Sequence, residues 1–482
     1  MLFNSIGFAI FCPLVIIIYF ALEEKSHRAA LIWLLIADYF YYMCAGAAFG
    51  ALLFGVTFVT YLCGRVCGNI SFSRGWRHLA LIAGCTVNVS LLVFFKYFNL
   101  FSEMILKDPA LKIILPVGVS FYVFSSLTYV IDTYRGEQKV QKDFIKYALF
   151  VSFFPTLLAG PIERSVNLLP QFDRPHRFDY GKAKRGLIKM AVGYFMKLVI
   201  AQRLAITVDL IYGNVDDVSG FLLLLATVFY AFQIYCDFAS YSSIASGLAT
   251  VLGFEVIENF RQPFFAKSCS DLWRRWHISL NNWFINYVYI PLGGSRKGRV
   301  RKYLNVMAVF TLSGMWHGAA LHYVLWGMLS GLFQVTGDMT KGIRQKISDA
   351  FPVHNKNTAV LHRCFQVFLT FVFFVIALVF FRADSTRQAF TVFGKIFAGM
   401  HLSDIAANSI FDLGLGTFNM LYLLAGMVLL VIYDVINEKT GDAAGFISKR
   451  PTYLRWCIYY VMILMMLGSA AIGAKQFIYF DF

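Results

Sequence analysis

Residues 220–250 read GFLLLLATVFYAFQIYCDFASYSSIASGLAT, a run with no basic residue and a single carboxylate, Asp237. A helix needs roughly 20 consecutive apolar residues to cross a hydrocarbon core of about 30 Å. This run exceeds that length and reads as a membrane span. Similar runs lie near 5–22, 29–44, 46–63, 79–96, 113–133 and 190–212, then near 303–320, 321–338, 363–383, 413–435 and 456–477. The 482 residues are 59% hydrophobic and 15% charged, with a mean hydropathy of +0.63. Soluble domains carry about 25% charge. The fold class is therefore an all-α integral membrane protein with about 11–12 transmembrane helices.

The formal net charge is +16. In a polytopic chain such an excess marks cytoplasmic loops and contact with anionic membrane lipids, so nucleic-acid binding is not expected. Arg65, Arg74 and Arg77 mark one cytoplasmic loop, Arg164 to Arg185 a second and Arg296 to Lys302 a third, while loop 213–219 has only Asp216 and Asp217 and suits the outer side. The run Ile6–Leu22 lacks a basic start and a cleavage site and reads as a first span. The nine cysteines are scattered, and the pair Cys63 and Cys67 fits neither a redox motif nor a zinc site.

Parity constrains one segment. With 134–146 and 163–189 both inside, the apolar stretch 147–160 is expected to be re-entrant; a helix-breaking surface loop is the alternative. Broken backbone survives at membrane depth only inside protein or beside a cavity. Region 253–302 is too polar to span and is rich in aromatics. Asp271 is expected to cap a helix starting at Leu272. Trp273, His277, Leu280 and Phe284 then share one face of an amphipathic interfacial helix.

Ionisable groups inside a membrane are costly and usually have a function. His317, in Ser313-Gly314-Met315-Trp316-His317-Gly318-Ala319-Ala320, lies between two apolar stretches. Its imidazole suits proton transfer; the alternative is a structural histidine bonded to a carbonyl. Gly314 and Gly318 allow close backbone or substrate approach. His277 lies one turn before Asn281, so both side chains can meet one ligand, or the imidazole anchors the head-group boundary. His322 reads as structural. Gln233, Asp237 and Ser240 or Tyr241 form a polar stripe, in which Asp237 orients an imidazole or, the favoured reading, fixes a helix contact. There is no GxSxG elbow, no Walker A loop and no HxxxxD arrangement.

The ordered motifs carry a resemblance. They run from Met1–Ser5, Leu115–Tyr122 and Tyr134-Arg135-Gly136 through Phe153-Phe154-Pro155, Ala159–Ile162 and Tyr235–Ser242. Asn259–Phe264, Leu272–Leu280, Tyr289–Ser295 and Met315–Gly318 follow. Together they resemble the membrane-bound O-acyltransferase (MBOAT) family, in its bacterial alginate O-acetyltransferase branch. The resemblance implies an MBOAT-type bundle with re-entrant and interfacial helices around a central tunnel. His317 is then the catalytic histidine and His277 the second important one. Asp237, Gln233, Tyr241, Trp276, Asn281, Trp316, Arg274, Arg275 and Pro161 are expected to line the tunnel or bind the donor.

Residues 1–482 then form one polytopic domain, with N-terminal spans over 1–133 and C-terminal spans over 339–482. The catalytic core is 134–338, including the re-entrant 147–160 and an interfacial 258–292. No bound cofactor or metal is implied. The donor substrate is acetyl-CoA or another acyl thioester, free or on an acyl carrier protein, and the acceptor is a cell-surface polysaccharide or peptidoglycan. An extracytoplasmic SGNH-type acetyltransferase is the expected partner, and the bacterial cytoplasmic (inner) membrane the expected location. The basic loop Arg296–Lys302 with Arg274 and Arg275 either steers donor phosphates or only sets topology. Two other readings stand beside this one. D-alanyl transfer to teichoic acid shares the Trp-His features, and a transporter or flippase would need inverted repeats that are not evident.

Overall fold

The computed structural model describes residues 1–102, 113–350, 356–400 and 414–469. Among them every regular element is helical. Seven helices are long and apolar enough to cross a membrane: Ile6–Glu23, Ala47–Cys67, Arg74–Phe101, Tyr180–Tyr212, Gly220–Leu252, Asn357–Arg382 and Gly416–Thr440. Their mean hydropathies run from 1.4 to 2.7. The expected spans near 29–44, 113–133, 303–320, 321–338 and 456–477 coincide with the helices His27–Met43, Val119–Arg135, Gly298–His317, Leu321–Met339 and Thr452–Leu467. Residues 470–477 of the last lie outside the described residues.

Boundaries move for local reasons. Val119–Arg135 starts late because Gly118 precedes it at φ 76°, a left-handed conformation outside the helix. Serines start several helices: Ser5 accepts from the Phe8 amide, Ser26 from Ala29, Ser73 from Trp76 and Ser385 from Gln388. Each satisfies one of the amides that a helix N-terminus leaves unpaired.

Two compact units are present. The first comprises Met1–Tyr194, Ser240–Glu258 and Ala444–Arg455. It holds the segment 147–160, which is buried throughout. The helix Phe144–Ser152 is 9 residues long, about 14 Å at 1.5 Å per residue, far short of a crossing. It breaks at Phe153, and Phe154–Leu157 follows. Asp38 holds the break, accepting from the Phe154 amide at 2.9 Å and the Ser152 hydroxyl at 3.1 Å.

The second unit comprises Phe195–Ala239, Asn259–Ala443 and Trp456–Phe482. Its helices Gly298–His317 and Leu321–Met339 form a hairpin joined by Gly318-Ala319-Ala320. A Cβ on Gly314 would overlap the Tyr323 carbonyl, and one on Gly327 would overlap that of Phe310. These two glycines let the backbones meet, as small residues do between membrane helices.

Candidate active site

His317 is the last residue of its helix and is buried. Three aromatic rings surround it: Trp316 at 4.7 Å, Phe381 at 4.9 Å and Trp326 at 5.0 Å between centroids. Gly314, one turn before His317, seats the hairpin and so fixes where the imidazole stands; this is the close backbone approach expected of it. The Gly318 Cα faces the Tyr323 ring.

His277 also lies in the second unit and is buried. Its imidazole packs against Phe238 at 4.6 Å and Trp316 at 6.0 Å. Trp316 therefore touches both imidazoles. Burial pushes His277 down to about 3, so its ring is neutral at physiological pH.

The single interfacial helix expected through His277 is not present. Cys269–Arg275 and Ile278–Phe284 are separate short helices, with Trp276 extended and His277 left-handed at φ 44° and ψ 53°. Trp273, His277, Leu280 and Phe284 thus do not share one helical face. Ser268, not Asp271, caps the first helix: its side chain accepts from the Asp271 amide at 3.1 Å, and Asp271 reaches back to the Lys267 amide at 3.1 Å. Ser268 thus satisfies an amide of the first turn and Asp271 the amide preceding the cap, and the helix starts three residues before Leu272.

Asn281 was expected to meet a ligand beside His277, and its amide is already committed. Nδ2 donates to the carbonyls of Trp273 and Trp276, both at 2.6 Å. From the other side, Asn259 accepts from the Ser279 hydroxyl at 2.6 Å and the Ser279 amide at 3.2 Å, while its own carbonyl accepts from Ile278 at 3.0 Å. Trp276 packs among Phe260, Phe374 and Tyr235.

Arg275 is also engaged. It pairs with Glu438 at 2.7 Å and Asp271 at 3.0 Å and donates to the Arg261 carbonyl. The Glu438 carboxylate, with Asp271, raises its pKa against the effect of burial. Its charge is thus paired within the protein. Arg274 is exposed and donates only to the Ser270 carbonyl among the hydrogen bonds described.

Asp237 forms a buried ion pair with Lys197, which agrees with the helix-contact reading. Gln233, one turn away, is buried, and its Oε1 has no hydrogen-bond partner among the described residues. Tyr241 and Pro161 belong to the first unit. Tyr241 stacks on Phe3 at 4.5 Å, and Pro161 is buried. His322 bonds the Phe380 carbonyl at 3.0 Å, a structural arrangement.

Several residues escaped the sequence reading. Lys197 carried the same signal as Asp237, an ionisable group inside an apolar run, and so did Asp38. Trp326 gave no signal, because an aromatic residue in an apolar helix looks like any other.

The sequence model of the membrane-bound O-acyltransferase family, MBOAT, matches residues 49–383, which include both histidines. The chain belongs to this family and is a multi-pass membrane acyltransferase. It is 34% identical over 458 residues to a protein of Pseudomonas syringae pv. tomato named "Probable alginate O-acetylase AlgI", covering 92% of this chain and 85% of that one. It is 31% identical to the peptidoglycan O-acetyltransferase of Helicobacter pylori, over 81% of this chain and 79% of the relative. Similarity to the teichoic acid D-alanyltransferase of Bacillus subtilis is 28% and covers 44% of this chain and 56% of that one.

Proposed function

We propose that this protein moves an acetyl group from a cytoplasmic thioester donor to hydroxyls of a cell-surface polysaccharide or peptidoglycan. It would do so in the bacterial inner membrane, with His317 as general base. The observation that carries the reading is the buried His317 in its aromatic enclosure, sharing Trp316 with a second buried histidine. The relatives named for alginate and peptidoglycan O-acetylation match most of the chain, whereas the D-alanyl transfer relative matches less than half.

The chemistry follows from the residues. His317 takes the proton of the acceptor hydroxyl as its oxygen attacks the thioester carbonyl. The C–S bond breaks, and the proton passes to the departing thiolate. An imidazole is suited to both transfers. Aromatic walls exclude water, which would otherwise compete as acceptor. Neutral His277 offers a second imidazole that exchanges hydrogen bonds without burying a charge. Segment 147–160, buried and too short to cross, is read as re-entrant. The exposed cluster Arg296, Lys297 and Arg299 would attract an anionic donor, and an extracytoplasmic SGNH-type transferase is the expected partner on the acceptor side.

The test is acetyl transfer by the purified protein in detergent. With acetyl-CoA carrying a labelled acetyl group, label is expected to appear as base-labile ester on polysaccharide or peptidoglycan fragments. Absence of turnover with free and carrier-bound thioesters alike would rule the reading out.

A further inference from the structure

The helix Gly416–Thr440 carries two carboxylates, Asp434 and Glu438, one turn apart and so on one face. Both bond to groups that frame His277. Glu438 holds Arg275 as a fork, with Nη1 donating to Oε2 at 2.7 Å and Nη2 to Oε1 at 3.2 Å, across 163 residues of sequence. A bidentate pair fixes direction as well as distance. Arg275 Nη1 also donates to the Arg261 carbonyl at 3.2 Å, and the Arg261 amide returns a bond to the Arg275 carbonyl at 2.9 Å. Beyond His277, the Ile278 amide donates to the Asn259 carbonyl at 3.0 Å. The backbone before and after His277 is thus laced to residues 259–261, and one guanidinium ties that assembly to Glu438.

Asp434 reaches the same place through an aromatic residue. It is buried and accepts from the Tyr235 hydroxyl at 3.1 Å. The Tyr235 ring packs against Phe260 at 5.7 Å and Trp276 at 6.3 Å between centroids, and those two rings stand perpendicular to each other at 5.1 Å. Phe238, on the next turn after Tyr235, backs the His277 ring. A carboxylate inside a span is costly and marks a function or a helix contact. A contact that only joined spans could sit anywhere along the 25 residues of this helix. Here both bonds fall within one turn, and both end on the segments around His277.

We infer that Asp434 and Glu438 are positioning residues for His277, so that the helix Gly416–Thr440 sets where the second imidazole stands. This inference rests on the acyl-transfer reading proposed above. His277 holds a left-handed backbone at φ 44°, a conformation that persists only where its surroundings over-determine it. Glu438 adds to that constraint by fixing the Arg275 side chain, and Asp434 by fixing the ring against which Trp276 packs. Loss of either contact lets the imidazole drift. In an aligned site a displacement of about 1 Å costs about 10²-fold in rate.

Two measurements test this, one of them independent of catalysis. Exchange of the imidazole C2 hydrogen in deuterated water, read by mass spectrometry, reports how freely each histidine meets solvent. Glu438→Gln keeps the shape and loses the charge. In that variant His277 should exchange at least about five-fold faster, with His317 within about two-fold of wild type. A general loosening would speed both histidines. In the transfer assay kcat should fall about ten-fold or more, with the KM for acetyl-CoA changed by less than about two-fold. Arg275→Gln should cost as much, and the double variant no more than the Arg275 variant alone, because Glu438 acts through that residue. Asp434→Asn keeps an acceptor for Tyr235 and should recover most of what Asp434→Leu loses. If Glu438→Gln fails to fold, Tyr235→Phe, which removes only a hydroxyl, carries the same expectations for exchange and kcat. Equal acceleration of both histidines, no acceleration of His277, or additive losses in the double variant would overturn the positioning role. Wild-type protein inert towards every thioester would sink the acyl-transfer reading instead, and the exchange rates would still decide the positioning.

Discussion

The side chain of Asn281 donates to the carbonyl of Trp276 at 2.6 Å, and Trp276 immediately precedes His277. With the second bond to Trp273 and the Asn259 contacts beyond, it holds a histidine in a backbone conformation that L-residues rarely adopt. The break between the two short helices is thus a built feature. It takes the imidazole off a helix face and sets it between Phe238 and Trp316.

Removing the clamp should disorder that arrangement. Asn281→Ala loses two hydrogen bonds worth about 1 kcal/mol each, so unfolding stability should fall by about 2 kcal/mol. Acetyl transfer should fall at least ten-fold. Asn281→Asp should be no better, because a carboxylate cannot donate to two carbonyls. Wild-type transfer by either variant would show that the break does not position His277.

The strain at His277 has its own signature. Alanine there keeps the left-handed cost of about 1 kcal/mol, whereas glycine does not. Both remove the imidazole. His277→Gly should therefore unfold at higher temperature than His277→Ala, although glycine is ordinarily the more destabilising residue. The reverse order would place His277 in an ordinary backbone conformation.

Glu163 gives a pH test away from the spans. Burial raises its carboxyl to about 8, against the lowering effect of the Ile257 amide, which donates to it. The folded value lies above the ordinary 4.5. Its contribution to stability is therefore fully present below about pH 4.5 and is lost as pH rises through about 8. Glu163→Gln cannot ionise. The melting temperature of the wild type relative to this variant should decline between those limits, and a flat difference would contradict the buried carboxyl.

At the hairpin, the Gly314 Cα lies where any side chain would strike the Tyr323 carbonyl. Gly314→Ala should force the helices apart, with a stability cost of about 1–3 kcal/mol. His317 moves with its helix, so transfer should fall by more than the loss of folded protein explains. Stability and activity at wild-type levels would mean that the close approach is not required.

Much of the fold was readable because lipid is a simple solvent: an apolar run such as 220–250 has few alternatives to a spanning helix. Asp237 and His317 stood out against that background. The arrangement around His277 did not, because it depends on hydrogen bonds from Asn259, distant in sequence, and periodicity records only local spacing. Trp273 to Phe284 matched helical periodicity on both sides of the break, so the pattern concealed it. The pairing of Arg275 with Glu438 could not be read either, because the two lie more than a hundred residues apart. Lys197 was readable by the rule that found Asp237.

The most direct measurement compares wild-type and His317→Gln protein, both shown to be folded by thermal unfolding in detergent, for labelled acetyl transfer from acetyl-CoA to a hydroxyl acceptor. Loss of a general base typically costs about 10²–10⁴-fold, so transfer should drop at least a hundred-fold while folding is retained. His317→Gln protein transferring within a few-fold of wild type would contradict the assignment of His317 as the base.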